Sequence, residues 1–365
     1  MKNVSIIGVG KLGLCFSLSL EKSGYNVIGI DVVEDYVSQL NNKTFVSNEP
    51  GVNERLKNSK NFKATTNLEE ALKSDVIFVI VATPSLPNGR YDHTQVESVI
   101  DKLLEYGPRN NRVELIINAT TMPGYCDELQ NKLDEYNYYV SYNPEFIAQG
   151  SILKDQENPD MVLVGGRDEV SCSTIKEIYK TMCDNTPYIA EMSALSAEIT
   201  KLSLNCFLTT KISFANMIGD IAEKVGGETD KILKAIGSDS RVGNKYLGYG
   251  YGYGGPCFPR DNRALAIFAD DNDIDAIISK ATDKMNVKHL EYQLNSFYRK
   301  NRDDKPINIY GVTYKKGSNI LEESQQLYFA LGLVELGYEV IVHESKEVIK
   351  ELKKLYKDKF TYVED

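Results

Sequence analysis

The chain has 365 residues, 42% of them apolar, and a formal net charge of −10 at neutral pH. This length is sufficient for two or three domains, each with its own hydrophobic core. The acidic balance, with no basic cluster interleaved with aromatic residues, argues against a nucleic-acid partner.

The cysteines, histidines and apolar runs exclude further classes of protein. The six cysteines form no CxxC pair, which predicts reduced thiols and a cytoplasmic protein. Three isolated histidines offer no metal-ligand spacing, so we expect no metal site. The longest apolar run, residues 76–82, is too short to cross a bilayer. A strand predicted almost at the first residue leaves no room for a signal peptide, so we expect no membrane association.

The amino-terminal pattern is typical of a dinucleotide-binding unit. A buried strand over residues 4–7 runs into a glycine-rich turn and an apolar helix, and a second strand over 27–30 ends in Asp31. The turn reads Gly8, Val9, Gly10, Lys11, Leu12 and Gly13. Asp31 is placed to bind the adenosine ribose and to repel a 2′-phosphate, which favours NAD over NADP. The alternative is a glycine turn in an α/β fold that binds no ligand.

Polar residues follow several later strands of the predicted sheet. The strand over 75–82 stops at Thr83 and Pro84, and the strand over 115–119 leads to Thr121. A strand over 138–142 runs into Glu145, and a strand over 161–164 is predicted to close the sheet. Ligands of doubly wound sheets bind at the carboxyl ends of the strands. Glu145 is therefore a candidate base, although a carboxylate at a helix start is the alternative.

Residues 191–225 contain no proline and carry apolar residues at helical spacing, which predicts one long helix. A helix of this length could join two domains and form a subunit interface. Lys201 and Asn205 are four residues apart and so share a face of it. They suggest a polar pocket, with a solvated surface pair as the alternative.

A glycine- and tyrosine-rich segment, residues 249–255, leads to Cys257. Gly254 and Gly255 allow another chain or a ligand to approach the backbone closely. With Arg260 and Asp261 nearby, Cys257 is a candidate activated nucleophile. The alternative is a turn followed by a small buried residue, because cysteine mostly behaves as a small hydrophobe.

The remaining residues predict helices over 262–299 and then a second, smaller α/β unit. A strand over 307–310, a helix to residue 336 and a strand over 338–342 begin this unit. The lysine-rich tail has its apolar residues on one face, which predicts an amphipathic surface helix rather than a membrane or nucleic-acid patch.

Together these motifs resemble the UDP-glucose/GDP-mannose dehydrogenase family over nearly the whole chain. The matching segments are residues 8–13, 83–84, 121–123, 143–146, 158–160, 201–205, 240–241, 254–261 and 311–315. The resemblance implies an α/β protein with a Rossmann-type NAD domain (residues 1–190) and a central region with the long helix and the cysteine (191–300). A short α/β domain that binds the nucleotide sugar follows (301–365). It also implies NAD as cofactor, a sugar nucleotide as substrate and a homodimer formed through the central helix.

The resemblance further implies oxidation of a sugar CH₂OH group to a carboxylate with two NAD, with UDP-glucose converted to UDP-glucuronate. Cys257 would form a thiohemiacetal and then a thioester. Lys201 and Asn205 would stabilise oxyanions. Asp261 and Glu145 would orient or deprotonate the hydrolytic water, with Thr121 as a hydrogen-bonding aid.

The same resemblance assigns the binding residues. Those expected to contact the cofactor are Gly8, Val9, Gly10, Lys11, Leu12, Gly13, Asp31, Thr83, Pro84 and Thr121. Those expected to contact the substrate are Glu145, Phe146, Lys201, Asn205, Arg241, Tyr249, Gly254 and Lys315. Of these, Arg241 is implied to reach the sugar nucleotide of the neighbouring subunit.

Four departures from the family pattern leave alternatives open. One of them is Met217, at a position where the family often has an acid. Gln149 replaces a second glutamate and cannot act as a base, and Glu322 replaces an arginine expected to meet the cofactor phosphates. The carboxyl-terminal domain is expected to be short by a strand and a helix or more. Other sugar nucleotides (a UDP-N-acetylhexosamine or GDP-mannose) and an inactive NAD-binding dimeric relative are the alternatives. A further alternative is a dehydrogenase of the 3-hydroxyacid type, which transfers a single hydride. Cys257 argues against it, because that chemistry has no use for a thiol.

Overall fold

The computed structural model describes residues 2–302 and 305–364. The chain divides into two compact units, one ending at Lys201 and the other beginning at Leu202. Each unit is built around its own sheet.

The first unit contains an eight-stranded sheet in the order β3-β2-β1-β4-β5-β6-β7-β8. Its strands are β1 (Asn3–Ile7), β2 (Asn26–Ile30), β3 (Phe62–Thr65), β4 (Val76–Val79), β5 (Val113–Ile117), β6 (Tyr138–Tyr142), β7 (Met161–Gly165) and β8 (Tyr188–Met192). Neighbouring strands pair in parallel except β6 and β7, which are antiparallel. The chain order reverses between β1 and β4, the position at which such sheets bind ligands.

Helices cover both faces of this sheet, which explains why the residues of its central strands β1, β4 and β5 are almost all buried. The helices are α1 (Lys11–Lys22), α2 (Glu34–Asn42), α3 (Val52–Asn58), α4 (Thr94–Glu105), α5 (Tyr125–Leu133), α6 (Ile152–Glu157) and α7 (Glu169–Met182). Short 3₁₀ turns lie at Leu68–Lys73 and Asp134–Tyr136. One core cluster includes Phe16 of α1 and Ile175 of α7, and the other includes Ile100 of α4 and Leu129 of α5.

Helix α8 (Ala194–Val225) begins in the first unit and continues into the second. The second unit also contains the helices α9 (Thr229–Ser238), α10 (Phe258–Asp271), α11 (Ile277–Lys300), α12 (Gln325–Glu335) and α13 (Lys346–Tyr356). The three parallel strands β9 (Ile307–Tyr310), β10 (Val340–Glu344) and β11 (Thr361–Glu364) pair in the order β11-β10-β9. Their core includes Leu327 and Leu333 of α12 and Leu352 of α13.

The α/β class, the parallel cofactor-type sheet, the long helix and the smaller second sheet are all confirmed. Two details of the prediction are wrong. The long helix begins at Ala194 rather than at residue 191, because Glu191 lies in β8 and pairs with Val164. For the same reason β8, not β7, forms the edge of the sheet. The predicted domain boundaries at residues 190 and 300 stay predictions.

Candidate active site

The glycine-rich turn between β1 and α1 has two glycines that the fold itself requires. Gly8 has φ +92°, and a Cβ there would lie 2.5 Å from the carbonyl oxygen of Ile80. A Cβ on Gly13 would lie 2.0 Å from the carbonyl oxygen of Gly8. Neither position tolerates a side chain without movement of the backbone.

Gly10 differs because it borders open space. It is the N-cap of α1, and a Cβ there would meet no atom within 4 Å. Packing therefore does not explain this glycine, and close approach of a cofactor to it stays a prediction. A helix N-terminus presents backbone N–H groups to an anion, so the turn fits the pyrophosphate of a dinucleotide.

The other predicted cofactor residues of this turn and of β2 lie nearby. Val9 is buried, and Lys11 and Leu12 form the first turn of α1. The Lys11 ammonium lies 3.3 Å from Oε1 of Gln149. Asp31 directly follows β2, and its carboxylate accepts a hydrogen bond from the Val33 N–H at 3.2 Å.

Two polar segments meet at the carboxyl ends of the adjacent strands β4 and β5. The Thr83 hydroxyl donates to the carbonyl of Thr120 at 2.7 Å, which ties the two loops together. Pro84 is exposed and Thr121 is buried. The structure thus brings Thr83 and Thr121 to the edge at which the sequence placed them.

Glu145 lies in the loop after β6, beside Phe146 and Lys201. The Lys201 ammonium donates to the Glu145 carbonyl at 2.6 Å and lies 4.5 Å from the Phe146 ring centroid. The Tyr179 hydroxyl donates to the Glu145 carboxylate at 3.4 Å. Burial raises the pKa of Glu145 to about 7, although Asn118, Lys201 and Tyr179 act in the opposite direction. A carboxylate with this pKa is suited to proton transfer at neutral pH.

Cys257 lies at the N-terminus of α10 in the second unit. Its side chain is exposed, and its carbonyl accepts the Asp261 N–H at 2.8 Å, which closes the first turn of the helix. Pro259 occupies the second helical position, where no backbone N–H is needed. The positive end of a helix stabilises an anion, so this position suits a thiolate.

Asp261 and Asn205 form a buried pair in the same unit. The Asn205 amide donates to Oδ2 of Asp261 at 2.6 Å, and both side chains are buried. The Cys206 thiol lies 3.6 Å from the Asp261 carbonyl oxygen. Asp261 is one helical turn from Cys257, so Asn205, Cys257 and Asp261 all lie at the start of α10.

The segment before Cys257 has irregular backbone, and amide side chains satisfy its peptide groups. Asn216 of α8 accepts the Gly250 N–H at 3.1 Å and donates to the Tyr251 carbonyl at 3.3 Å. Asn286 of α11 accepts the Tyr253 N–H at 3.0 Å and donates to the Tyr253 carbonyl at 2.9 Å. Because each amide bonds both a donor and an acceptor, the two helices fix the path of this segment.

A further network anchors the same segment at Gly250. Nε2 of His289 lies 2.6 Å from the Gly250 carbonyl oxygen, and Nδ1 lies 2.9 Å from Oδ2 of Asp220. The Tyr249 hydroxyl donates to Asp220 at 3.0 Å, and a Cβ on Gly219 would lie 2.0 Å from the Tyr249 ring. The Tyr249 hydroxyl therefore anchors the loop, and its substrate contact stays a prediction.

The paired glycines before Cys257 pack against the segment after β9. Gly255 has φ +81° and donates its N–H to the Glu322 carbonyl at 3.1 Å. A Cβ on Gly254 would lie 2.2 Å from the Glu323 carbonyl oxygen. Close approach of backbone explains Gly254, whereas the positive φ and the Tyr314 ring, 2.4 Å from a Cβ there, explain Gly255. The Glu322 side chain is exposed.

Arg241 and Lys315 lie on the surface of the second unit. Arg241 forms an ion pair with Asp239 at 2.7 Å and is largely exposed, and Lys315 is also exposed. The substrate contacts predicted for both residues remain predictions.

Sequence reasoning missed four buried residues that organise these sets. Glu198 of α8 accepts the backbone N–H groups of Gly124 and Cys126, and the other three, Asn216, Asn286 and His289, hold the segment before Cys257. Each is a single polar residue on a helix with a partner distant in the sequence. The sequence carried little signal for them, since the buried residues of α11 are all polar (Ser279, Thr282, Asn286 and His289) and no apolar face marks their side of the helix. The spacing alone did not identify their partners.

Two searches of the described parts of the chain gave negative findings. Within residues 2–302 and 305–364, no helix has the length and apolar character needed to cross a membrane. Over the same ranges, no group of three or more His, Cys, Asp or Glu side chains is arranged to hold a metal ion.

Comparison with known families matches two successive parts of the chain. The model described as "UDP-glucose/GDP-mannose dehydrogenase family, NAD binding domain" covers residues 2–183. The central-domain model of the same family covers residues 195–288. The matched segments include the glycine-rich turn and Cys257.

Individual relatives agree with these matches. The UDP-glucose 6-dehydrogenase of Rickettsia bellii is 30% identical over 344 residues, which cover 92% of this chain and 79% of the relative. The structure of a UDP-glucose dehydrogenase from the archaeon Pyrobaculum islandicum has a TM-score of 0.91 at 29% identity, over 100% of this chain and 86% of the other. A GDP-mannose dehydrogenase from Pseudomonas aeruginosa has a TM-score of 0.61 at 26% identity, over 99% and 87% of the two chains. The chain therefore belongs to the UDP-glucose/GDP-mannose dehydrogenase family and is a dehydrogenase with NAD as its cofactor.

Proposed function

We propose that this protein oxidises the CH₂OH group of a sugar nucleotide to a carboxylate in two steps, with UDP-glucose as the substrate and UDP-glucuronate as the product. The observation that carries the proposal is the exposed Cys257 at the N-terminus of α10, one turn from the buried pair of Asp261 and Asn205. An alcohol dehydrogenase that stops at the aldehyde has no use for a thiol there.

The covalent part of the proposal rests on Cys257. NAD, when bound, supplies the hydride acceptor for both oxidations. The Cys257 thiolate adds to the aldehyde carbon to give a thiohemiacetal, which becomes a thioester after oxidation. The backbone N–H groups at the start of α10 stabilise the thiolate before attack. A thiol nucleophile must stay reduced, which places the reaction in a reducing compartment such as the cytoplasm.

Two side chains of α8, the ammonium of Lys201 and the amide of Asn205, are proposed to stabilise negative charge on the substrate oxygen. Lys201 carries three N–H donors, and the one directed at the Glu145 carbonyl fixes its ammonium group. We assign Lys201 and Asn205 to the negative charge that develops on the substrate oxygen. The bond from Asn205 to Asp261 holds the amide in place.

Hydrolysis of the thioester requires a base and an oriented water molecule. Glu145 is the base, because its pKa of about 7 leaves it able to accept a proton at neutral pH. Asp261 and Thr121 assist in orienting the water. Gln149, which contacts Lys11, takes no part in proton transfer.

The choice of UDP-glucose as substrate rests on the names of the relatives and on exposed cationic side chains of this chain. The relative from R. bellii is named a UDP-glucose 6-dehydrogenase. Lys315 is assigned to a substrate phosphate, and Arg241 to the substrate of a neighbouring subunit. Phe146, Tyr249 and Gly254 are assigned to the sugar nucleotide as well.

A homodimer formed through α8 is part of the proposal. Exposed apolar side chains recur along this helix at spacings of seven, three, four and four residues: Phe207, Phe214, Met217, Ile221 and Val225. This spacing places them on one stripe. An apolar stripe on a long helix is a surface that a second copy can cover.

The test is the amount of NADH released per substrate consumed, measured with purified protein, NAD and three sugar nucleotides. We expect two NADH per UDP-glucose, and less turnover with a UDP-N-acetylhexosamine or with GDP-mannose. Two NADH with a different sugar nucleotide would retain the chemistry and change the substrate. One NADH per substrate would contradict the covalent mechanism, and none would indicate an inactive relative.

A further inference from the structure

His289 of α11 is a buried imidazole whose two nitrogens both face oxygen atoms. Its side chain is 1% exposed, and Asp220 of α8 is 9% exposed. Nδ1 lies 3.0 Å from Oδ1 and 2.9 Å from Oδ2 of Asp220, and Nε2 lies 2.6 Å from the Gly250 carbonyl oxygen. The Gln293 amide donates to the same carbonyl at 3.1 Å, so that oxygen accepts from two sides. All four residues belong to the second unit.

The chemistry of these oxygen atoms decides where the protons lie. A carbonyl oxygen and an ionised carboxylate can only accept hydrogen bonds. The Tyr249 hydroxyl also donates to Asp220, at 3.0 Å, so the carboxylate accepts on both sides. A neutral imidazole has a single N–H, and its other nitrogen would direct a lone pair at an oxygen atom. Both contacts of His289 are satisfied together when each ring nitrogen carries a proton.

The charged and titratable groups around this pair do not replace His289 as the partner of Asp220. They come from α8, the segment before Cys257 and α11: Glu223, Tyr249, Tyr292, Arg299 and Lys300. Burial raises the pKa of Tyr249 and of Tyr292, and the neighbouring carboxylates raise it further, so both phenols stay neutral. The two cations are exposed, and Lys300 lies 3.7 Å from Glu223. In the part of the chain that the structure describes, the cation that balances the buried Asp220 is therefore His289.

Gly250 lies near the start of the segment that leads to Cys257. Asn286, one helical turn before His289 on α11, bonds both peptide groups of Tyr253 farther along the same segment. The polar face of α11 thus holds the segment at two successive points. Loss of the contact at Gly250 would free the end of the segment that lies away from Cys257.

We infer that His289 is a positioning residue, protonated on both ring nitrogens, whose ion pair with Asp220 fixes Gly250 and through it the segment that presents Cys257. The inference rests on the proposed function in one respect, the role of Cys257 as the nucleophile. His289 transfers no proton in the reaction. It acts through the backbone, because a reacting group is effective only when the chain that carries it is held in place.

The donors and acceptors of this cluster predict which substitutions it tolerates. A glutamine side chain offers one amide nitrogen and one oxygen in place of two N–H groups. In His289→Gln that oxygen must face either the Asp220 carboxylate or the Gly250 carbonyl. In Asp220→Asn a neutral His289 accepts from the amide at Nδ1 and still donates to Gly250 from Nε2. In the double variant the two amides bond each other, and the glutamine nitrogen donates to Gly250.

The experiment compares His289→Gln, Asp220→Asn and the double variant with wild type. Two quantities are measured: amide hydrogen exchange of residues 249–255 by mass spectrometry, and kcat under saturating NAD and UDP-glucose. We expect His289→Gln to speed the exchange at least roughly tenfold and to lower kcat roughly tenfold. Asp220→Asn and the double variant should stay within about threefold of wild type in both measurements, because their buried polar groups remain paired.

Rescue by the second substitution separates hydrogen bonding from packing. If only the volume of the imidazole mattered, the double variant would be as impaired as His289→Gln. His343→Gln is the matched control: His343 lies on β10 of the same unit, is partly exposed, and has Nε2 2.8 Å from Oδ1 of Asn308. That variant should leave both the exchange of residues 249–255 and kcat unchanged.

A spectroscopic measurement tests the charge directly. In nitrogen-15 NMR spectra at pH 7, wild type should show a proton on both ring nitrogens of His289, and Asp220→Asn should show one on Nε2 alone.

Two outcomes would overturn the inference: a single ring N–H on His289 in wild type, or a double variant as impaired as His289→Gln. Absence of turnover by the wild type would instead count against the proposed function. The exchange and NMR measurements need no turnover, so they would still decide whether His289 holds the segment as a cation.

Discussion

Cys257 and Glu145 show how far a local motif can predict a site. The glycines, the prolines and Asp261 around Cys257 are close in sequence, so their common position at a helix start was predictable. The anchoring of Glu145 was not, because Lys201 and Tyr179 contact it from 56 and 34 residues away. Glu198 was missed for the same reason, since its partners lie 72 to 77 residues away.

We predict that Cys257→Ser retains NAD binding and loses production of the uronic acid by at least roughly a thousandfold, because a hydroxyl is a much weaker nucleophile than a thiolate. Acid formation is measured by chromatography and NAD affinity by calorimetry. Cys183→Ser is the matched control, since Cys183 is only partly buried and terminates α7. Full acid production by Cys257→Ser would exclude the covalent mechanism.

The pH dependence should report Glu145. A base with a pKa of about 7 is mostly protonated below that pH, so kcat should rise about tenfold per pH unit up to pH 7 and then level off. Glu145→Gln should be slower and lack this rise. Stopped-flow measurement of the hydrolytic step between pH 5.5 and 8.5 compares wild type with Glu145→Gln. The same dependence of rate on pH in both proteins would exclude Glu145 as the base.

The same raised pKa affects stability in a defined direction. The folded state binds the Glu145 proton more tightly than the unfolded state, in which the carboxyl has its ordinary pKa. The favourable contribution is therefore complete below pH 4.5 and is lost as the pH rises towards 7. Denaturant titrations should show wild type losing unfolding free energy relative to Glu145→Gln across this interval.

At the scale of elements, the segment over residues 249–255 depends on helices α8 and α11. Its glycines predicted tight backbone packing, and the structure shows that packing at Gly254, whereas Gly255 packs against the Tyr314 ring. The sequence did not reveal that Asn216, Asn286 and His289 satisfy its peptide groups, because a helical pattern identifies a buried face and not the atoms that it meets.

We predict that Asn286→Ala destabilises the protein by about 1–3 kcal/mol and lowers kcat, because the buried N–H and carbonyl of Tyr253 both lose their partner. Urea denaturation and steady-state kinetics measure the two effects. Asn295→Ala changes an exposed residue of the same helix and should have little effect on either. Equal effects of the two variants would contradict a role for the two hydrogen bonds between Asn286 and Tyr253.

At the scale of the whole molecule, sequence patterns predicted the two α/β parts and the long helix between their sheets. They failed at the boundary, where the last two residues of β8 were assigned to the helix. Strand β8 is short, lies at an edge and alternates in exposure, so its sequence differs little from the helix that follows. Only its pairing with β7 identifies it as a strand.

We predict that Ile221→Asp produces a monomer, because it places a charge in the apolar stripe of α8 that the proposed dimer buries. Light scattering after size-exclusion chromatography measures the mass. Val170→Asp is the matched control, since Val170 is 53% exposed and Ile221 is 54% exposed. A dimeric Ile221→Asp protein would show that α8 does not form the interface.

The proposed dimer would make the stability of this protein depend on its concentration. If a second copy covers the exposed stripe on α8, folding and association share one equilibrium, and the melting temperature rises with protein concentration. Dilution alone would then weaken the fold, without any change in sequence or solvent. A cell that makes little of the protein would hold a larger share of it as unassociated chains, whose uncovered apolar side chains are open to proteases and chaperones.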